Sequence, residues 1–116
     1  MQIRKGTDAD IPAIVELLKS SLGEGMIEKS ERLWNWKHVK NPHGDSPVLV
    51  AEVDGQIVGV RAFLRWQWAY KGQILQAIRA VDTATHPKFQ GKGIFKKLTL
   101  QGLTDANENG IHLVYN

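Results

Sequence analysis

The stretch Thr85 to Leu98, THPKFQGKGIFKKL, constrains the fold of this 116-residue chain more than any other. Pro87 and Phe89 close an extended segment, Gly91 and Gly93 flank Lys92 in a turn, and Ile94, Leu98 and Leu103 follow as the inward positions of a helix. A strand, a glycine turn and a helix in that order predict a βα unit, which needs a parallel strand to receive the chain. HLVY, directly after Gly110, supplies that strand. The first N–H groups of such a helix have no intrahelical acceptor and lie at the positive end of its dipole, so the corner is an anion site built from backbone. Gly91 and Gly93 let a pyrophosphate approach the main chain closely, and Lys92, Lys96 and Lys97 add long-range attraction.

The remaining elements follow from pattern. QIR at 2–4 reads as a short first strand. Thr7-Asp8-Ala9-Asp10 resembles a capping box with Asp in place of Glu, and Pro12 sits in the first helical turn, where its missing N–H costs nothing. Ile11, Ile14, Val15, Leu18 and Leu22 line one helical face, and Gly23 and Gly25 stop it. A second helix spans Lys29 to Val39 with Ser30 as cap, and the punctuated loop NPHGDSP ends it. PVLVAEV, the Asp54-Gly55 turn and QIVGVRAFLRWQWAY form a hairpin with Val58, Val60, Ala62, Leu64, Trp66 and Trp68 on one side and Arg61, Arg65 and Gln67 on the other. Lys71-Gly72 turns the chain into a fourth strand, ILQAIRAVDTATH. The order β-α-α-β-β-β-α-β predicts an α/β fold with a mixed sheet, in one domain over residues 1–116.

Two phosphate-binding loops are excluded by specific residues. A P-loop needs Ser or Thr after Gly-Lys, where Gly93 stands; a dinucleotide fingerprint needs a small residue where Lys96 stands. The run His86-Pro87-Lys88-Phe89-Gln90-Gly91-Lys92-Gly93-Ile94-Phe95-Lys96-Lys97-Leu98 instead resembles the acetyl-CoA-binding motif of the GNAT superfamily of acyl-CoA N-acyltransferases. The resemblance extends along the whole chain, through the first helix, the Asp54-Gly55 hairpin and the strand that feeds the motif. It implies that backbone amides from Gln90 through Gly91, Lys92, Gly93, Ile94 and Phe95, with Lys96, hold the pyrophosphate of acetyl-CoA, and that Thr83, Ala84 and Thr85 bond the pantetheine as an added strand. The alternative is that QGKG is only a tight turn. Two departures stand out: Phe95 occupies a position that is often Gly or Ala, and the chain stops at Asn116, where family members continue with a helix and two strands. The expectation is therefore a fold truncated after the fifth strand, self-associating through that strand's open edge or belonging to a longer polypeptide.

The implied reaction is acetyl transfer from acetyl-CoA to a primary amine of a small molecule or protein. It needs a base for the amine, an oxyanion donor and an acid for the thiolate. A backbone N–H near Thr83 fits the oxyanion. Asp82, a carboxylate inside an apolar strand, is the candidate base, burial being expected to raise its pKa; a structural hydrogen bond is the competing role. His86 suits a turn, while His38, His43 and His112 lack the spacing of a metal site, so no metal is expected. Trp34, Trp36, Trp66 and Trp68 suit either an aromatic acceptor pocket or the core, with Trp66 and Trp68 assigned to the core. Cysteine is absent, which removes disulfides and thiolate chemistry, and no apolar run approaches the ~20 residues of a membrane span. With a net charge of +3 spread along the chain, a cytoplasmic protein without nucleic-acid or membrane partners is expected. A non-catalytic acyl-CoA-binding module is the alternative function.

Overall fold

The computed structural model describes residues 1–22, 30–42, 44–111 and 113–115. Five strands form one sheet in the order β1 (Gln2–Lys5), β2 (Val48–Val53), β3 (Gln56–Tyr70), β4 (Gln73–Thr85) and β5 (Leu113–Tyr115). The first four are antiparallel neighbours; β5 runs parallel to β4, reached through the crossover helix α3 (Ile94–Glu108). This is the mixed α/β sheet that the element order predicts. Gly23, Gly25 and Lys29, expected at helix ends, lie outside the described residues.

α1 (Ile11–Leu22) is entered through a 3₁₀ turn at Asp8–Asp10. Its start uses the carboxylate foreseen for the cap: Asp10 Oδ2 accepts from the Thr7 N–H at 2.7 Å and from the Thr7 hydroxyl at 3.0 Å. α2 (Glu31–Trp34) is capped by Ser30, whose hydroxyl accepts from the Leu33 N–H at 3.1 Å, and it continues as a π-helical turn over Asn35–Val39.

Helices cover both faces of the sheet. Ile14, Val15 and Leu18 of α1 and Trp34 of α2 pack on Val50, Val60, Ala62 and Ala84. On the opposite face Ile94 and Leu98 of α3 pack on Leu49, Ala51 and Val58, and Ala106 joins Phe63 and Ile78. α3 comes close because Gly59 and Gly102 present no side chain: a Cβ at Gly102 would stand 2.5 Å from the Phe63 ring, and one at Gly59 would stand 2.8 Å from Ile94.

Three expectations are corrected here. Val58 packs with α3 rather than with Val60 and Ala62, because β2 and β3 slip register between Ala51 and Glu52 and make Val58 an extra, bulged residue. Leu103 is exposed; the inward positions of α3 are Ile94, Leu98, Gly102 and Ala106, each four residues apart. Trp66 and Trp68 do not join the core, standing 43% and 46% exposed on an arm where β3 and β4 run beyond the helices. Among the described residues no helix is long and apolar enough to cross a membrane.

Candidate functional site

β4 is hydrogen-bonded to β3 along its whole length, but on its other edge β5 pairs only with Ala77, Ile78 and Arg79. From Ala80 to Thr85 that edge therefore has no strand partner among the described residues. An open edge is a row of unpaired backbone donors and acceptors, able to take an extended ligand as an added strand. It leads through the 3₁₀ turn at Pro87–Phe89 to the first turn of α3. Gly91 and Gly93 adopt φ values of 79° and 78°, a left-handed conformation that side chains resist, and a Cβ on either would meet only open space. The backbone here is bare and faces a groove.

That groove measures about 560 Å³ and is bordered by Thr83, Ala84, Thr85, Gln90, Gly91, Gly93, Ile94, Phe95 and Lys96, with Ser21 and Phe89. The structure thus brings together every donor-site residue singled out in the sequence except Lys92, whose Nζ sits 5.3 Å from the centre of the Phe89 ring. Ala84 and Ile94, which also border the groove, are buried members of the core on opposite faces of the sheet. The Gln90 amide and the Ser21 hydroxyl both donate to the Thr85 carbonyl at 3.3 Å, tying loop, strand and α1 together. Phe95, the departure at the motif, covers Arg61: the guanidinium lies 4.6 Å from its ring centre and donates to Thr83 Oγ1 at 3.0 Å. His86 has the turn role expected of it, its Nδ1 accepting the Lys88 N–H at 3.1 Å.

Within the open edge stands Asp82, and its backbone is unusual. Arg61 pairs with Thr83 and Ala62 pairs with Val81, leaving Asp82 as the extra residue of a bulge, with φ at 39°. Positive φ is uncommon for a residue other than glycine, and bulges re-aim side chains. Asp82 reaches the side of the sheet that carries α1 and α2. There its Oδ2 accepts from His38 Nε2 at 2.6 Å and from Lys37 Nζ at 2.8 Å. His38 is 2% exposed, and its Nδ1 lies 2.6 Å from Ser46 Oγ. The π-helical turn, in which the Lys40 N–H reaches back to the Asn35 carbonyl, presents the consecutive Lys37 and His38 to one carboxylate.

The expected raised pKa of Asp82 is corrected by this geometry. Burial does push it up, but hydrogen bonds from His38 and Lys37, with their charges, together set it below the ordinary carboxylate value. Asp82 also borders a cavity of about 130 Å³ between α1 and α2, lined by Val15, Leu18, Ser30, Leu33, Trp34 and Lys37. Of the four tryptophans only Trp34 reaches it; Trp36 is 70% exposed on the outer side of the turn. Sequence reasoning missed His38 because nothing local links it to a strand 44 residues away.

The sequence matches the family model described as Acetyltransferase (GNAT) domain over residues 2–116. The fold is similar to that of a predicted acetyltransferase with acetyl-CoA from Clostridium acetobutylicum, at 23% identity and a TM-score of 0.76 over 98% of this chain and 78% of that one. A ribosomal-protein-alanine N-acetyltransferase from Brucella melitensis biovar Abortus 2308 aligns at 22% identity and a TM-score of 0.74, over 98% and 78%. A transcriptional regulator from Bacillus halodurans C-125 aligns at 24% identity and a TM-score of 0.71, over 97% and 78%. No curated protein matches the sequence at a significant level.

Proposed function

The chain belongs to the GNAT acetyltransferases, and we propose that it transfers the acetyl group of acetyl-CoA to a primary amine of a small molecule or a protein. The observation that carries this reading is the continuity of the open β4 edge with the glycine turn that starts α3. A donor laid along it places its pyrophosphate against the amides of Gln90 to Lys96 and its pantetheine beside Thr83, Ala84 and Thr85. The thioester then falls at the bulge, where Asp82 borders the cavity between α1 and α2.

The amine enters from that cavity. Its ammonium gives a proton to Asp82, the neutral nitrogen attacks the thioester carbonyl, and a backbone N–H near Thr83 stabilises the oxyanion. The nitrogen of the tetrahedral adduct then loses its second proton to solvent, and the oxyanion collapses so that the C–S bond breaks while the new C–N bond persists. The CoA thiolate takes a proton from solvent as Asp82 gives its own up. One proton is released overall.

Titration calorimetry with acetyl-CoA, followed by thiol release with a panel of primary amines, tests the proposal. Heat on acetyl-CoA addition, competition by free CoA and amine-dependent thiol are expected. Saturation by NAD but not by CoA would redirect the donor assignment, and CoA binding with no thiol release for any amine would leave a binding module instead.

A further inference from the structure

Asp82 presents an inconsistency as a lone base. A carboxylate that already accepts from a lysine and a histidine is stabilised in its charged form and takes a further proton reluctantly. The bonds to His38 and Lys37 both end on Oδ2. Among the described residues Oδ1 takes no hydrogen bond, and it is the oxygen left for a ligand in the adjoining cavity.

The hydrogen-bond inventory fixes which nitrogen of His38 always carries a proton. An ionised carboxylate can only accept, so Nε2 carries the proton shared with Asp82. Nδ1 then faces a hydroxyl, which can either donate or accept. With neutral imidazole the Ser46 hydroxyl donates to Nδ1; with imidazolium Nδ1–H donates to Ser46 Oγ. Both states of an almost fully buried ring are satisfied, so its charge can change without stranding a polar group. The Ser46 N–H also donates to the His38 carbonyl at 2.9 Å, and the Trp34 ring lies 4.3 Å from the imidazole. The ring is held from three sides. The charged groups around it are Asp82 on β4 and Lys37 on its own turn, with Asp8 and Asp45 bordering the cavity on the Ser46 side.

We propose that His38 is a positioning residue for acyl transfer: it holds Asp82 with one oxygen toward the cavity between α1 and α2, and its own protonation sets how readily that carboxylate takes the proton of the acceptor ammonium. This rests on the acyl-transfer reading of the site. When His38 is protonated, two cations share Oδ2 and Asp82 is a poor base. When it is neutral, one cation remains and Asp82 accepts a proton more readily. The rate therefore rises with pH as His38 loses its proton, while donor binding in the separate groove does not change.

Two measurements decide it. Imidazole nitrogen NMR on the full chain from pH 5 to 9 is expected to show His38 titrating, with Nε2 protonated in its neutral form. Asp82→Asn should lower its midpoint, since a carboxylate partner is removed. A ring that keeps one protonation state throughout, or whose midpoint ignores Asp82→Asn, overturns the proposal whether or not any amine is acetylated.

The second measurement is the pH profile of thiol release from acetyl-CoA with n-hexylamine, chosen for the apolar lining of the cavity. His38→Gln retains a donor for Asp82 but cannot titrate. It is expected to flatten the acid limb, with the KM for acetyl-CoA unchanged. An acid limb kept intact in folded His38→Gln overturns the proposal. Absence of thiol release by the wild type counts against the acyl-transfer reading, and the NMR result still decides the coupling.

Discussion

Every residue of β3 from Ile57 to Phe63 is buried, and every residue of the same strand from Trp66 to Tyr70 is exposed. The two halves share one antiparallel partner, β4, and the exposed half is the more aromatic, with Trp66, Trp68 and Tyr70 against Phe63 in the buried one. They differ in what lies above and below. Over the first half α1 and α2 cover one face and α3 the other; past Phe63, where Gly102 and Ala106 make the contacts of α3, the hairpin continues as an arm. Alternation tells which residues share a face, whereas burial depends on where the covering helices end.

The largest expected effect sets a phenylalanine against a bigger ring. Phe63→Ala should destabilise the protein by about 3–5 kcal/mol, because it empties a fully enclosed site. Trp68→Ala removes more atoms from the arm but should cost about 1 kcal/mol or less, since the ring already meets solvent. Chemical denaturation of the two variants measures both. Equal costs would mean that the arm is covered in solution and that the contrast between the halves is wrong.

A second pair sharpens the contrast within α3. Gly102→Ala adds one methyl group, yet its Cβ would stand 2.5 Å from the Phe63 ring, so a cost of about 1–3 kcal/mol is expected from overpacking. The neighbouring Leu103→Ala removes an exposed side chain and should change stability by about 0.5 kcal/mol. A small addition is expected to exceed a larger deletion. Thermal melts of the two variants in the reverse order would restore the inward placement of Leu103.

These positions show what the sequence makes legible. The strand, glycine turn and helix around Gly91 and Gly93 are readable because the requirements are local: positive φ and bare backbone select glycine. So is the start of α1, where Asp10 and Thr7 are three residues apart. Leu103 misleads because a hydrophobic pattern favours leucine over the adjacent glycine, although close helix-on-sheet contact favours the reverse. The cluster of Asp82, His38, Lys37 and Ser46 is illegible for another reason. It depends on a register slip in β4 and a widened turn after α2, two irregularities that bring together residues 44 apart in the chain and that no periodicity encodes.

The groove lies where the covered half of the hairpin ends in its glycine turn, and its affinity for acetyl-CoA separates backbone from side chain. Gly93→Val forces a branched residue into φ near 78° and places carbon where a phosphate is proposed to approach. Binding about tenfold weaker or worse is expected by calorimetry, equivalent to ~1.4 kcal/mol or more. Lys92→Ala should cost less, by a factor that shrinks as salt rises, because Lys92 borders the groove only from outside. If Lys92→Ala proves the more damaging change in a folded protein, the proposed anion cradle is made by charge and not by amides.

The smallest effect is expected at the opposite rim of the covered half, where Arg4 bridges Asp10 at 2.7 Å and Glu52 at 2.9 Å. Hydrogen bonding from Arg4 holds the Asp10 carboxyl well below its ordinary value; burial opposes this, and the bonds from Thr7 add to it. A carboxyl with a depressed folded-state pKa stabilises the fold above its unfolded value of about 4, and that contribution disappears as pH falls through the folded value. Asp10→Asn keeps an oxygen for the Thr7 N–H but loses the charge. Its melting temperature should therefore sit slightly below that of the wild type by a constant margin from pH 7 to about 5. The margin should then narrow as the solution is acidified below about 4. Partly exposed ion pairs contribute little, so this difference should be smaller than either stability contrast above. A margin that stays constant down to acid pH would assign the loss to the cap rather than to the ion pair, and a margin as large as that of Gly102→Ala would make the charged rim, rather than the covering helices, what separates the two halves of the sheet.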